Sequence, residues 1–220
     1  MITGAIFDVD GTLLDSMQIW NNAGERYLRK LGIKAELDLG KVMFSMSMVQ
    51  GAAYLKERYQ LQFTAEEIIN GINSTIQDFY DHQVKLKPGV KQFLGEMTKC
   101  DIKMTAATSS DRSLIEKAMD RLDINGFFDR IFTCSEIGTG KSKPDIYLAA
   151  KQYMDTEISD TWVFEDAYHA IKTAKNAGFR IAGVYDASSM NVQKEIREIS
   201  DVYLYDLTDF TAFIEIVNHR

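Results

Sequence analysis

Short runs rich in β-branched and aromatic residues recur along the chain at 5–7, 103–107, 130–133, 161–164, 180–185 and 202–205. Each has the length of a buried strand, and none is long enough for an ordinary globular helix. From the second run onward, segments with helical patterning separate them, at 111–122, 144–154, 167–177 and about 189–199. Strands that alternate with helices need crossover connections, and these build a parallel sheet covered on both faces. The fold class is therefore α/β. The punctuation agrees: Pro144 suits a first helical turn, where its missing N–H is not needed, and Gly178 follows its helix where a left-handed cap sits.

The region from Ser16 to Lys85 breaks this alternation and has only helical patterning. Ile19, Trp20, Ala23, Tyr27, Leu28 and Leu31 recur at helical spacing before Gly32. Thr64 and Glu67 have capping-box spacing ahead of Ile68, Ile69, Ile72, Ile76 and Phe79. The expected organisation is an α/β core made of 1–15 and 87–220, with a helical insert over 16–86 and Lys87-Pro88-Gly89 as the return point.

Composition removes several classes of function. Of 220 residues, 45% are apolar and 26% charged, with 14 Gly and 2 Pro, which is enough apolar residue for a packed core and too little Gly and Pro for a fibrous or disordered chain. The net charge of −7, without a Lys/Arg run, argues against a nucleic-acid partner, whose phosphates need neutralising. No stretch approaches the ~20 apolar residues of a membrane span, and the opening MITGAIFDVD lacks the pattern of a secretory leader. Cys100 and Cys134 have no metal-type spacing and read as reduced thiols, so a cytoplasmic location is expected.

The candidate chemistry lies just past the strands. Asp8 and Asp10 follow the first one, and in an open α/β sheet ligands bind beyond the carboxyl ends of the strands. If the chain stays extended through Asp10, both carboxylates lie on the same side of it. Thr108, Ser109 and Ser110 follow the second strand and offer hydroxyls and N–H groups to an oxyanion, although Ser110 is equally placed as a helix N-cap. Glu165 and Asp166 follow the fourth. Lys141 lies in a loop whose Gly140-Lys141-Ser142 imitates the end of a P-loop, but the glycine needed five residues before Gly140 is replaced by Ser135. Four carboxylates gathered at one sheet edge repel one another unless protons or a cation compensate them, and an oxygen-only donor set favours Mg²⁺ over zinc. His82, His169 and His219 are scattered without ligand or triad spacing.

Four segments in this order carry a family resemblance: D-V-D-G-T-L-L-D-S at 8–16, A-A-T-S-S at 106–110, G-K-S-K-P-D at 140–145 and V-F-E-D-A-Y-H-A-I-K-T-A-K-N-A-G at 163–178. The chain resembles the haloacid dehalogenase superfamily, in its phosphatase and β-phosphoglucomutase-like branch. The resemblance implies a Rossmann-like core with an inserted all-helical cap, and a Mg²⁺-dependent phosphatase that hydrolyses a small phosphorylated metabolite through an aspartyl-phosphate. It implies Asp8 as the nucleophile, Asp10 as the general acid/base, and Thr108 with Ser109 as the phosphate-binding group. It implies that Lys141, three residues before Pro144, rather than Lys143, holds nucleophile and phosphate together. Glu165 and Asp166 would bind Mg²⁺, joined by Asp8 and the backbone carbonyl of Asp10. The dehalogenases that name the superfamily have no Asp where Asp10 stands, which favours phosphoryl transfer. Phosphonate cleavage would need a cap lysine, and Lys30, Lys34, Lys41 and Lys56 have no distinctive setting. The segment at 43–50 has no Arg or Lys to grip a second phosphate, which favours a phosphatase over a sugar phosphomutase. A catalytically silent metabolite-binding regulator is the alternative of another class.

Overall fold

The computed structural model describes residues 2–43 and 48–218. The chain separates into two compact units, 1–15 with 85–220, and 16–84.

The first unit is built on six parallel strands: β1 (Gly4–Phe7), β2 (Lys103–Thr108), β3 (Arg130–Thr133), β4 (Thr161–Glu165), β5 (Arg180–Val184) and β6 (Val202–Leu204). Their order across the sheet is β3-β2-β1-β4-β5-β6. Phe7 at the end of β1 is in register with Ala106 on one side and Phe164 on the other. The chain winds outward from β1 in one direction through β2 and β3, then returns to β4 and winds the other way. The crevice between the ends of β1 and β4 is thus the topological switch point, where this class of sheet takes its ligands. All four β1 residues are buried, and Phe7 stacks on Phe164 with ring centroids 4.2 Å apart. Full burial of each such ring contributes about 1.5–3 kcal/mol, so the floor under the switch point is built of well-packed apolar side chains.

All six expected strands form. β2 and β4 each extend one residue further than the sequence pattern suggested, taking in Thr108 and Glu165. The helices Arg112–Arg121, Asp145–Met154 and Tyr168–Asn176 occupy the expected segments. Gly178, at φ +98°, ends the last of these, with Phe179 N–H donating back to the Ala174 carbonyl at 3.2 Å. The helix expected from about 189 is displaced: a 3₁₀ turn spans Ala187–Val192, and the α-helix is Gln193–Ile199. The Asp186 carboxylate accepts from Ser188 N–H and starts the tighter turn. Val90–Lys99, Cys134–Ile137 and Phe210–Asn218 are further helices outside the expected set.

The return from the insert reaches the first unit at Lys85, so Lys87-Pro88-Gly89 lies within that unit. Asp15 N–H donates to the Lys85 carbonyl, Lys87 N–H donates to the Leu13 carbonyl, and Leu14 and Leu86 form an antiparallel bridge. This short pairing clamps the outgoing and returning strands of chain together.

The second unit is helical: Met17–Lys30, Leu39–Met43, Met48–Arg58 and Ala65–His82. Its capping box is formed, with Thr64 Oγ1 accepting from Glu67 N–H at 3.2 Å and the Glu67 carboxylate accepting from Thr64 N–H at 2.7 Å. Ile19, Ala23, Tyr27 and Leu28 of the first helix are buried, as are Ile68, Ile72, Ile76 and Phe79 of the last. Trp20 and Leu31 depart from the expected apolar stripe, at 42% and 36% exposed. Trp20 keeps its indole N–H on Tyr80 Oη at 3.2 Å. Among the described residues no helix is long and apolar enough to cross a membrane.

Candidate active site

Asp8 is held as though β1 ran one residue further, because its N–H donates to the Phe164 carbonyl at 2.9 Å. The chain then turns sharply. Leu13 and Leu14 N–H both donate to the Val9 carbonyl, and Gly11 N–H donates to the Leu14 carbonyl. Gly11 has φ +89°, and a Cβ there would stand 2.5 Å from Asp166 Oδ2. Only glycine fits both the conformation and the close approach. Buried Thr12 places its hydroxyl 3.5 Å from Asp166 Oδ1.

Lys141 is buried and its ammonium is shared between two carboxylates, donating to Asp8 Oδ1 and, at 2.7 Å, to Glu165 Oε2. Tyr147 OH donates to the same Glu165 oxygen at 3.2 Å, and Ala167 N–H donates to Glu165 Oε1 at 3.2 Å. Lys143, the neighbouring lysine, is exposed. Asp8, Glu165 and Asp166 each bring a carboxylate oxygen within 4.8 Å of the others. Burial, then the Glu165 charge, pushes the Asp8 carboxyl up to about 8 in spite of Lys141. Burial, with the charges of Asp8, Glu165 and Asp186, also raises Asp166 well above the usual carboxylate range. Burial opposes the charge on Lys141, but Asp8 and Glu165 outweigh it and keep the ammonium protonated well above its ordinary range.

One lysine does not balance three buried carboxylates, and the surplus has a definite location. Asp8 Oδ2 is buried with no hydrogen-bond partner among the described residues. A buried anionic oxygen without a partner is costly, and an all-oxygen donor set around it suits a hard divalent cation. The residues therefore fit a metal ion held by Asp8, Glu165 and Asp166. The Asp10 carboxylate is not part of this group of three. Its Oδ2 accepts from Ser110 Oγ at 2.6 Å.

Thr108 and Ser109 are placed differently from one another. Thr108 is buried at the end of β2, and its Oγ1 accepts from Ser110 N–H at 3.0 Å. Ser109 is exposed, with its Oγ 3.5 Å from Cys134 Sγ. Ser110 is not the helix cap, a position taken by Asp111 without a side-chain cap bond; its hydroxyl faces Asp10 instead. His82 and His169 are exposed on helices, while His219 and, in the 43–50 segment, residues 44–47 lie outside the described residues. Sequence reasoning missed Lys87, which is buried and ion-paired with Asp186 at 2.9 Å. It also passed over Tyr147.

Residues 5–184 match the haloacid dehalogenase-like hydrolases, and the chain belongs to that family. Within it, this chain is a phosphoric monoester hydrolase. It is 28% identical over 200 residues to the phosphorylated carbohydrates phosphatase of Thermotoga maritima, covering 90% of this chain and 92% of that one. It is 23% identical over 214 residues to hexitol phosphatase B of Escherichia coli, covering 96% and 95%. Its fold is that of a Thermotoga maritima crystal structure described as a beta-phosphoglucomutase candidate, with TM-score 0.84, 24% identity, and 99% and 100% of the two chains covered.

Proposed function

We propose that this protein is a Mg²⁺-dependent phosphatase of small phosphomonoesters, sugar or polyol phosphates among them, working through an aspartyl-phosphate on Asp8. The observation that carries the reading is the convergence of Asp8, Lys141, Glu165 and Asp166 at the switch point, with one Asp8 oxygen buried and unpartnered among the described residues. The names of the relatives support the substrate class. The two free cysteines are in keeping with a cytoplasmic setting.

In the first step the Asp8 carboxylate attacks phosphorus in line, the P–O bond to the substrate alcohol breaks, and Asp10 gives its proton to the departing oxygen. In the second, Asp10 takes a proton from water, the resulting hydroxide attacks phosphorus, and the Asp8 carboxylate leaves as inorganic phosphate forms. Lys141 holds Asp8 and faces the incoming phosphoryl charge, while Tyr147 and Ala167 N–H hold Glu165 in place. Thr108 and the Ser109 N–H take the phosphate oxygens. Asp8, Glu165 and Asp166, with the Asp10 carbonyl, would hold Mg²⁺, which when bound offsets the charge on the transferring phosphoryl group.

The test is phosphate release from a panel of sugar, polyol and aryl phosphates, in chelator and with Mg²⁺ restored. Release that vanishes in chelator and returns with Mg²⁺ supports the reading; full activity after verified metal loss contradicts it. β-Glucose 1-phosphate with a bisphosphate primer should yield inorganic phosphate or nothing, whereas rapid formation of glucose 6-phosphate would replace the phosphatase reading with a mutase.

A further inference from the structure

Lys87 and Asp186 form a buried ion pair beside the Asp8 cluster, close enough for the Asp186 charge to act on Asp166, with side chains only 10% and 7% exposed. The Lys87 ammonium has three donors and three acceptors: Asp186 Oδ2 at 2.9 Å, the Gly11 carbonyl at 2.8 Å and the Tyr185 carbonyl. Asp186 is equally satisfied, its Oδ1 accepting from Ser188 N–H at 2.9 Å and Ser188 Oγ at 2.7 Å. A buried ion pair seldom stabilises a fold more than apolar side chains of the same volume would, so stability alone is a poor account of this one. What it grips is more informative. The backbone N–H of Lys87 holds the Leu13 carbonyl at 2.9 Å while its ammonium holds the Gly11 carbonyl. One residue therefore clasps the turn that follows Asp10 at two points.

Backbone bonds from Gly11, Leu13 and Leu14 N–H close that turn, and Lys87 adds a hold on its Gly11 carbonyl. Gly11, at φ +89°, has no side chain to restrict its peptide. Asp8, by contrast, is fixed by its own ladder bond to the Phe164 carbonyl. We infer that Lys87, oriented by Asp186, is a positioning residue that fixes the Gly11 peptide and thereby aims the Asp10 carboxylate at the leaving oxygen. The inference rests on the reading of Asp10 as general acid. It assigns a role in proton transfer to the returning segment of the insert, 76 residues further along the chain from Gly11.

Proton donation matters more for a poor leaving group than for a good one, so the readout is a ratio. kcat/KM, which reports events through departure of the alcohol, is measured with Mg²⁺ for 4-nitrophenyl phosphate and for phenyl phosphate, two esters of nearly equal shape. Lys87→Met should lower the phenyl phosphate value by up to about 100-fold, the scale of a misplaced catalytic group, and change the nitrophenyl value only a few-fold, as Asp10→Asn should. The double variant Lys87→Met/Asp186→Asn leaves no stranded carboxylate and carries the same test if the single variant does not fold; Lys87→Arg should recover most of the ratio. Equal losses on both esters, no loss on either, or failure of both Met variants to fold would overturn the inference and leave the pair a structural one. Failure of the wild type to hydrolyse either ester would instead overturn the phosphatase reading. A wild type and Asp10→Asn that behave as expected, beside Lys87 variants that do not, would overturn this inference alone.

Discussion

Asp8 is under opposing demands, since a nucleophile must be ionised and burial favours the proton. Its carboxyl sits at about 8, against an ordinary value of 3.8. Between those values the folded chain binds the proton more strongly than the unfolded one, so this group's contribution to stability is present at low pH and is lost as pH rises through the window. A divalent cation competes with that proton and binds better as pH rises. In thermal melts, the rise in Tm on replacing chelator by Mg²⁺ should therefore be larger near pH 8 than near pH 5. An increment that did not change with pH would contradict the assignment of Asp8 to the cation. Above about pH 8, where Asp8 is ionised, Asp8→Asn removes one buried charge at almost constant volume. Phosphate release should fall by at least about 10⁴-fold, while the chelated protein melts at a temperature equal to or above that of the wild type. Melting clearly below it would mean that the Asp8–Lys141 contact stabilises the fold more than the crowded carboxylates destabilise it. At this scale Asp8, Lys141, Glu165 and Asp166, which the structure brings together, were legible because each follows a strand or lies in a loop within a recognisable string, whereas Asp10, read with them, keeps its carboxylate outside that group. Ser110, Lys87 and Asp186 were not legible, because their contacts span 100 residues to Asp10, 76 to Gly11 and 99 between the pair. Nothing local marks a lysine as the one that reaches a particular carbonyl.

The elements follow local rules that can be tested separately. Glycine at position 11 meets a conformational requirement and a close approach at once. Gly11→Ala should cost about 1–3 kcal/mol in strain and displace Asp166, with weakened Mg²⁺ binding by titration calorimetry; wild-type affinity would show that the turn adapts. Thr64→Ala removes one half of the capping box of the helix Ala65–His82 and should cost about 1 kcal/mol in urea unfolding. No change would mean that the Glu67 half suffices. Strands were the most legible elements, since each is a short apolar run bounded by polar turns. Val90–Lys99 carries buried Val90, Phe93, Leu94 and Met97 at helical spacing, but it begins at Lys87-Pro88-Gly89, whose turn character dominated the reading. The 3₁₀ turn at Ala187–Val192 depends on the Asp186 cap, which local propensity does not announce.

For the whole molecule, the chain's path explains how one site is assembled from distant segments. The parallel sheet brings Asp8, Thr108 and Glu165 to the same edge because each stands at the carboxyl end of β1, β2 or β4, and Lys141 is carried in by the loop before Asp145–Met154. Alternating strands and helices made this architecture and the helical insert readable in the sequence. The substrate was not readable, because selectivity among small phosphates depends on contacts with no fixed local pattern. What unites the account is the claim that the buried Asp8 carboxylate receives the phosphoryl group. It is tested by incubating the Asp10→Asn variant with 4-nitrophenyl phosphate and Mg²⁺, reducing the acyl phosphate with borohydride, and mapping the product by peptide mass spectrometry. Homoserine in place of aspartate at position 8, dependent on both substrate and Mg²⁺, is the expected result. An unmodified position 8, with hydrolysis continuing in the same sample or the modification at another residue, would contradict the account.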